Sequence, residues 1–69
     1  MNQIQRLEKH TGLGATQTAL LLGVAYPTYA QFKSGLRDMK PYHERHIQAL
    51  LLLPRSRLAQ LIGEHVYGN

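Results

Sequence analysis

The sequence contains no cysteine, so neither a disulfide framework nor a thiolate metal site can be built from it. That absence fits a reducing compartment. Long apolar runs are also missing. The longest strictly apolar stretch is Ala49 to Leu53, far short of the roughly 20 residues that a membrane-spanning helix needs. The polar opening from Met1 to His10 lacks the apolar centre of a secretory signal. The chain is therefore expected to be cytoplasmic, with no membrane partner. Alternating apolar runs rich in β-branched residues, the mark of strands, are nearly absent, as are internal repeats, linkers and low-complexity tracts. Acids are few, with four Asp and Glu set against eight Lys and Arg for a net charge of +4.

Catalytic patterns are missing too. His43 and His46 are three apart, whereas the zinc-protease pattern needs two histidines four apart with a glutamate between them, and no third ligand is evident. Gly12-Leu13-Gly14 has no third glycine at the spacing of a nucleotide loop. Thr16 and Thr18 lack the base and acid that would activate a hydroxyl. No catalytic residue, metal, cofactor or small-molecule ligand is expected, and the chain reads as a non-enzyme.

What is present is helical spacing punctuated by glycine and proline. With 43% hydrophobic residues the chain is not a disordered tail, and 69 residues suffice for one domain, 1–69. A domain so small buries little surface, which makes help from a partner chain plausible. The fold class expected is all-α, with five helices. The first spans about Gln3 to His10, with Ile4 and Leu7 on one face. The second spans about Ala15 to Leu22, carries Ala19, Leu20 and Leu22, and stops at Gly23. The third runs from Tyr26 or Pro27 to Ser34 and ends at Gly35. The fourth opens at Pro41 and ends before Pro54, with Ile47, Leu50 and Leu51 on one stripe and Tyr42, Ala49, Leu52 and Leu53 around a second, so burial on more than one side is expected. The fifth is capped at Ser56 or a neighbour and carries Leu58, Leu61, Ile62 and Val66. The tail from Tyr67 to Asn69 is expected to fray.

The informative stretch runs from Ala19 to Gly35. Two short helices are joined by a tight turn at Gly23, and Ala19 is small where they would cross. Val24, Tyr29 and Phe32 point inward, which leaves Tyr26, Pro27, Thr28, Ala30, Gln31 and Ser34 outside. Such a pair can offer its second helix to the major groove of DNA. The cations Lys33, Arg37, Lys40 and Arg45 cluster near its end, with Asp38 and Glu44 as the acids among them. They could be a solvated basic face, but at least two are expected to meet phosphate, with Lys33, Arg37 and Lys40 the expected contacts.

These residues resemble the helix-turn-helix of the Cro/C1-type (XRE-like) repressors of phages and mobile elements. The matching elements are Ala19, Gly23-Val24, Thr28, the apolar pair Tyr29 and Phe32, and Lys33-Ser34-Gly35. The resemblance extends over roughly Leu13 to Leu53, with the motif at about 15–35, and covers the regulators that accompany anti-CRISPR genes as well as Cro-like repressors. It implies a compact lambda-repressor-like domain that binds double-stranded DNA. By position it implies base contacts from Tyr26, Pro27, Thr28 and Gln31, and phosphate contacts from Thr16, Gln17, Ser34, Arg37 and Lys40. The family often has Gln where this chain has Ala15, and Tyr and Pro replace its usual polar readers. Readout is therefore expected to lean on thymine methyl contact and DNA shape.

One such motif gives limited specificity. The leucines of the last two helices suggest a symmetric homodimer reading an inverted repeat, with Leu53, Leu58, Leu61 and Ile62 at an interface within about 50–67. Two other readings stay open. One is a protein-interaction module that uses the leucine-rich C-terminal helices. The other is a DNA-binding accessory protein of recombination or packaging.

Overall fold

The computed structural model describes residues 2–68. It contains five helices: α1 (Gln3–Thr11), α2 (Ala15–Leu22), α3 (Tyr26–Ser34), α4 (Pro41–Leu52) and α5 (Arg55–His65). No strand occurs among the described residues, and none of the described helices is long and apolar enough to cross a membrane. Asn69, the end of the expected fraying tail, lies outside the described residues. Tyr67 before it is tied down, its N–H donating to the Ile62 carbonyl at 3.3 Å.

Local chemistry sets the helix ends. Asn2 caps α1, its side chain accepting from the Gln5 N–H at 2.9 Å while the Gln5 side chain accepts from the Asn2 N–H at 3.3 Å. This reciprocal pair satisfies two donors that helix geometry leaves free. Gly23 ends α2 with φ +75°, a left-handed conformation that side chains with a Cβ disfavour. Its N–H returns to the Ala19 carbonyl at 2.9 Å, and the Val24 N–H follows to the same oxygen at 3.1 Å. This tight closure turns the chain directly into α3. Pro27 sits in the first turn of α3, where its missing N–H costs nothing. At α5 the structure differs from the sequence expectation. Ser56 is not the cap. The helix starts at Arg55, and the Pro54 carbonyl accepts the first turn's bond from the Leu58 N–H at 3.0 Å.

The core gathers Ile4 and Leu7 from α1, Ala19 and Leu21 from α2, Tyr29 and Phe32 from α3, Ile47 and Leu50 from α4, and Leu58 from α5. The main packing is α1 on α4, α2 on α3, and α5 folded back on α2. On α2 the buried leucine is Leu21, while Leu20 is half exposed. The run Leu20-Leu21-Leu22 is apolar on every side, so spacing alone could not phase it. Thr18 is fully buried beside Leu21, and its hydroxyl donates to the Gly14 carbonyl at 2.8 Å. Its polarity is thus absorbed within the helix.

The expectation for α4 is also corrected. Ile47 and Leu50 are buried and Leu51 and Leu53 are half-buried against the core, yet the rest of the second stripe is not: Leu52 is 85% exposed, Tyr42 61%, and Ala49 lies in solvent. Helix α5 folds onto α2 and leaves that side of α4 uncovered within one chain.

Candidate nucleic-acid interface

Helix α3 is held by two apolar anchors, Tyr29 and Phe32. By the helical period, Pro27, Gln31 and Ser34 lie opposite them, with Tyr26 and Thr28 on the two flanks. Tyr26, Pro27 and Ser34 are exposed, and Thr28 and Gln31 are half-buried. All four residues expected to contact bases therefore lie on one short helix and reach solvent. The Ser34 hydroxyl donates back to the Gln31 carbonyl at 3.3 Å, and the Arg37 N–H donates to that same carbonyl, also at 3.3 Å. These bonds fold the basic loop against the end of α3. Arg37 and Lys40 are exposed there, and Leu36 beside them is 82% exposed.

Over Phe32 sits the half-buried His43, with ring centroids 5.1 Å apart, and Tyr42 lies against the same imidazole at 4.2 Å. His43 thus packs the start of α4 on the end of α3, where the basic loop joins them.

The remaining expected phosphate contacts divide. Thr16 is exposed in the first turn of α2. Gln17 is half-buried and engaged at both ends of its amide: the oxygen accepts from the Gly14 N–H at 3.4 Å, and the nitrogen donates to the Tyr67 hydroxyl at 3.4 Å. Lys33 is taken up by an acid that the sequence reading did not single out. Its ammonium lies 2.9 Å from one oxygen of Glu8 and 3.1 Å from the other. Lys33 is therefore not a free cation beside Arg37 and Lys40. A signal for this pairing existed, since Glu8 is the one acid before Asp38 in an otherwise basic half.

Glu8 also accepts a short hydrogen bond from the Tyr29 hydroxyl. Burial pushes the Glu8 carboxyl up, but the bonds from Tyr29 and Lys33, with the charge of Lys33, outweigh it and hold it below its ordinary range. Burial first, and then the bond to Glu8 and its negative charge, push the Tyr29 phenol well above its ordinary value of 10. The Glu8 shift has a consequence for stability. A carboxyl whose folded value is depressed binds fewer protons in the folded state than in the unfolded one. Its contribution is present above the ordinary value of 4.5 and is lost as pH falls through the lower folded value. Thermal melts taken from neutral pH downward should show the wild-type midpoint falling more steeply than that of Glu8→Gln. Parallel curves would mean that Glu8 does not couple to folding.

At the far end of the chain, the residues expected at a dimer interface separate. Leu53, Leu61 and Ile62 are half-buried, whereas Leu58 is 5% exposed and belongs to the core of the single chain. Leu58 cannot contact a partner without opening the domain. Comparison with protein-family models, with curated proteins and with solved structures finds no match.

Proposed function

We propose that this chain is a sequence-specific, double-stranded DNA-binding transcriptional regulator of the Cro/C1 type. In this reading its five helices form a lambda-repressor-like domain, it has no enzymatic activity, and it acts in the cytoplasm as a repressor on an inverted-repeat operator. The observation that carries the reading is the solvent-facing side of α3, set just beyond the tight Gly23 closure and flanked by the exposed Arg37 and Lys40. An α-helix with its side chains is about 10–12 Å across, which fits the roughly 12 Å width of the major groove. Tyr26, Pro27, Thr28 and Gln31 would meet base edges, with Gln31 suited to a bidentate contact with adenine and Pro27 to a thymine methyl. Thr16, Ser34, Arg37 and Lys40 would hold phosphates and fix the register. The dimer would use the end of α4 through the exposed Leu52, with the part-exposed edges of Leu53, Leu61 and Ile62 beside it.

The test starts from duplexes selected out of a random pool, with binding measured across a salt series. Wild-type affinity should fall linearly on a log–log plot. Arg37→Ala and Lys40→Ala should each weaken binding to all duplexes alike and reduce the salt slope by about one. Gln31→Ala should cost about 1–3 kcal/mol and relax preference at one position of the site. A chain that selects no sequence and shows no salt dependence is not such a regulator.

One observation favours a second reading. The uncovered side of α4, with Leu52 and Tyr42 in solvent, also suits a protein-interaction module in which α2 and α3 are scaffold. Loss of duplex binding in the test above, with a folded chain, would leave this reading standing.

A further inference from the structure

Helix α3 packs on α2 and α1. It buries two side chains, Tyr29 and Phe32, both toward one face. A rotation of about 20° at a side-chain radius of about 6 Å moves an outer atom by roughly 2 Å, enough to break a hydrogen bond to a base edge. The presentation of Pro27 and Gln31 is therefore sensitive to any further side-chain tie on the flank of α3.

Glu8 has the geometry for this. Its side chain is 16% exposed, and it reaches from α1 to two residues of α3 that are one turn apart. The Tyr29 hydroxyl donates to it from the fully buried ring, and the Lys33 ammonium lies 2.9 Å away. Tyr29 and Lys33 stand one turn apart on the same flank of α3 and converge on this one carboxylate, which ties that flank to α1. A third tie lies beside them, where the Asn2 side-chain amide donates to the Lys33 carbonyl at 3.3 Å. The pairing also neutralises Lys33, which would otherwise stand near the basic loop as one more cation that attracts any phosphate. Phosphate attraction carries no sequence information.

We propose that Glu8 is a specificity-determining positioning residue, which locks the rotation of α3 through Tyr29 and Lys33 and withholds the Lys33 charge from DNA. This rests on the regulator reading above. It differs from the sequence expectation for Lys33, which becomes part of the lock instead of a phosphate contact.

The experiment compares wild type, Glu8→Gln and Lys33→Met on the selected duplex and on a scrambled one, each across a salt series, with circular dichroism as the check on folding. Glu8→Gln should bind the scrambled duplex more tightly, steepen the salt slope by about one as Lys33 is released, and lower the ratio of selected to scrambled affinity about tenfold. A merely structural role would weaken both duplexes together and leave the slope unchanged. Lys33→Met should keep the wild-type slope, because that cation does not reach phosphate. It also decides the matter if Glu8→Gln fails to fold. A Glu8→Gln variant with wild-type ratio and slope, or a Lys33→Met variant whose slope drops by about one, overturns the inference while the regulator reading stands. A wild-type chain that binds no duplex removes both.

Discussion

Ile47→Ala should leave a large part of the population unfolded at room temperature. Ile47 is fully buried at the middle of α4, facing the α1 side of the core where Ile4 and Leu7 are equally inaccessible. Removing its outer atoms loses their transfer free energy and leaves a cavity, at a cost of about 2–5 kcal/mol. Native stability runs at about 0.05–0.15 kcal/mol per residue, so a chain of this length has roughly 3–10 kcal/mol in total. The two ranges overlap, which is why one truncation can consume most of the margin. A larger protein would tolerate the same change. Urea unfolding is the measurement, with Gln48→Ala, an exposed site on the same helix, as the control expected to stay within about 0.5 kcal/mol of wild type. An Ile47→Ala midpoint equal to that of Gln48→Ala would show that α4 is not packed on α1.

That core was legible where the sequence carried punctuation. Gly12, Gly23 and Gly35 close three helices in the left-handed conformation, and Pro27 and Pro41 open two of them. Glycine and proline restrict the backbone locally, so their meaning survives without tertiary context. The inward pair Tyr29 and Phe32 was legible for a similar reason, since two large apolar residues three apart on a short polar helix have one face to share.

Burial was not legible where the local pattern was degenerate. In α2 three consecutive leucines fit any phase, and packing against α3 and α5 selects Leu21 over Leu20. On α4 the apolar second stripe implied cover, but cover depends on where α5 travels after Pro54, and no local rule fixes that. The Glu8–Lys33 pair spans 25 positions in the chain, beyond the reach of any helical spacing rule, and the isolation of Glu8 among basic residues was its one trace. On α3 the residue types of the solvent-facing side could be read off, whereas their tie to α1 through Glu8 could not.

The uncovered stripe of α4 leads to the remaining large effect, in assembly. In the proposed dimer, Leu52→Glu should produce a folded chain that no longer associates and binds the proposed inverted repeat roughly a hundredfold more weakly, as expected when two linked half-site contacts become independent. Leu52 is the suitable position because it is 85% exposed, so a charge there meets water in the single chain and leaves the core intact. Leu61, half-buried between α5 and the rest of the domain, would confuse loss of association with loss of fold. Burying a leucine side chain on association contributes about 1.5–3 kcal/mol, counted twice in a two-fold symmetric dimer, where each copy presents the same patch. A glutamate there reverses that gain, since two carboxylates would be brought together away from solvent. The dimer would set its two copies of α3 about 34 Å apart, one turn of DNA, facing inverted half-sites. Sedimentation and duplex binding should therefore move together. The variant should sediment as a monomer with an unchanged circular dichroism spectrum, keep its affinity for a single half-site, and lose the advantage of the full repeat. A wild-type chain that stays monomeric at every concentration and fills the two half-sites without cooperativity would rule the dimer out.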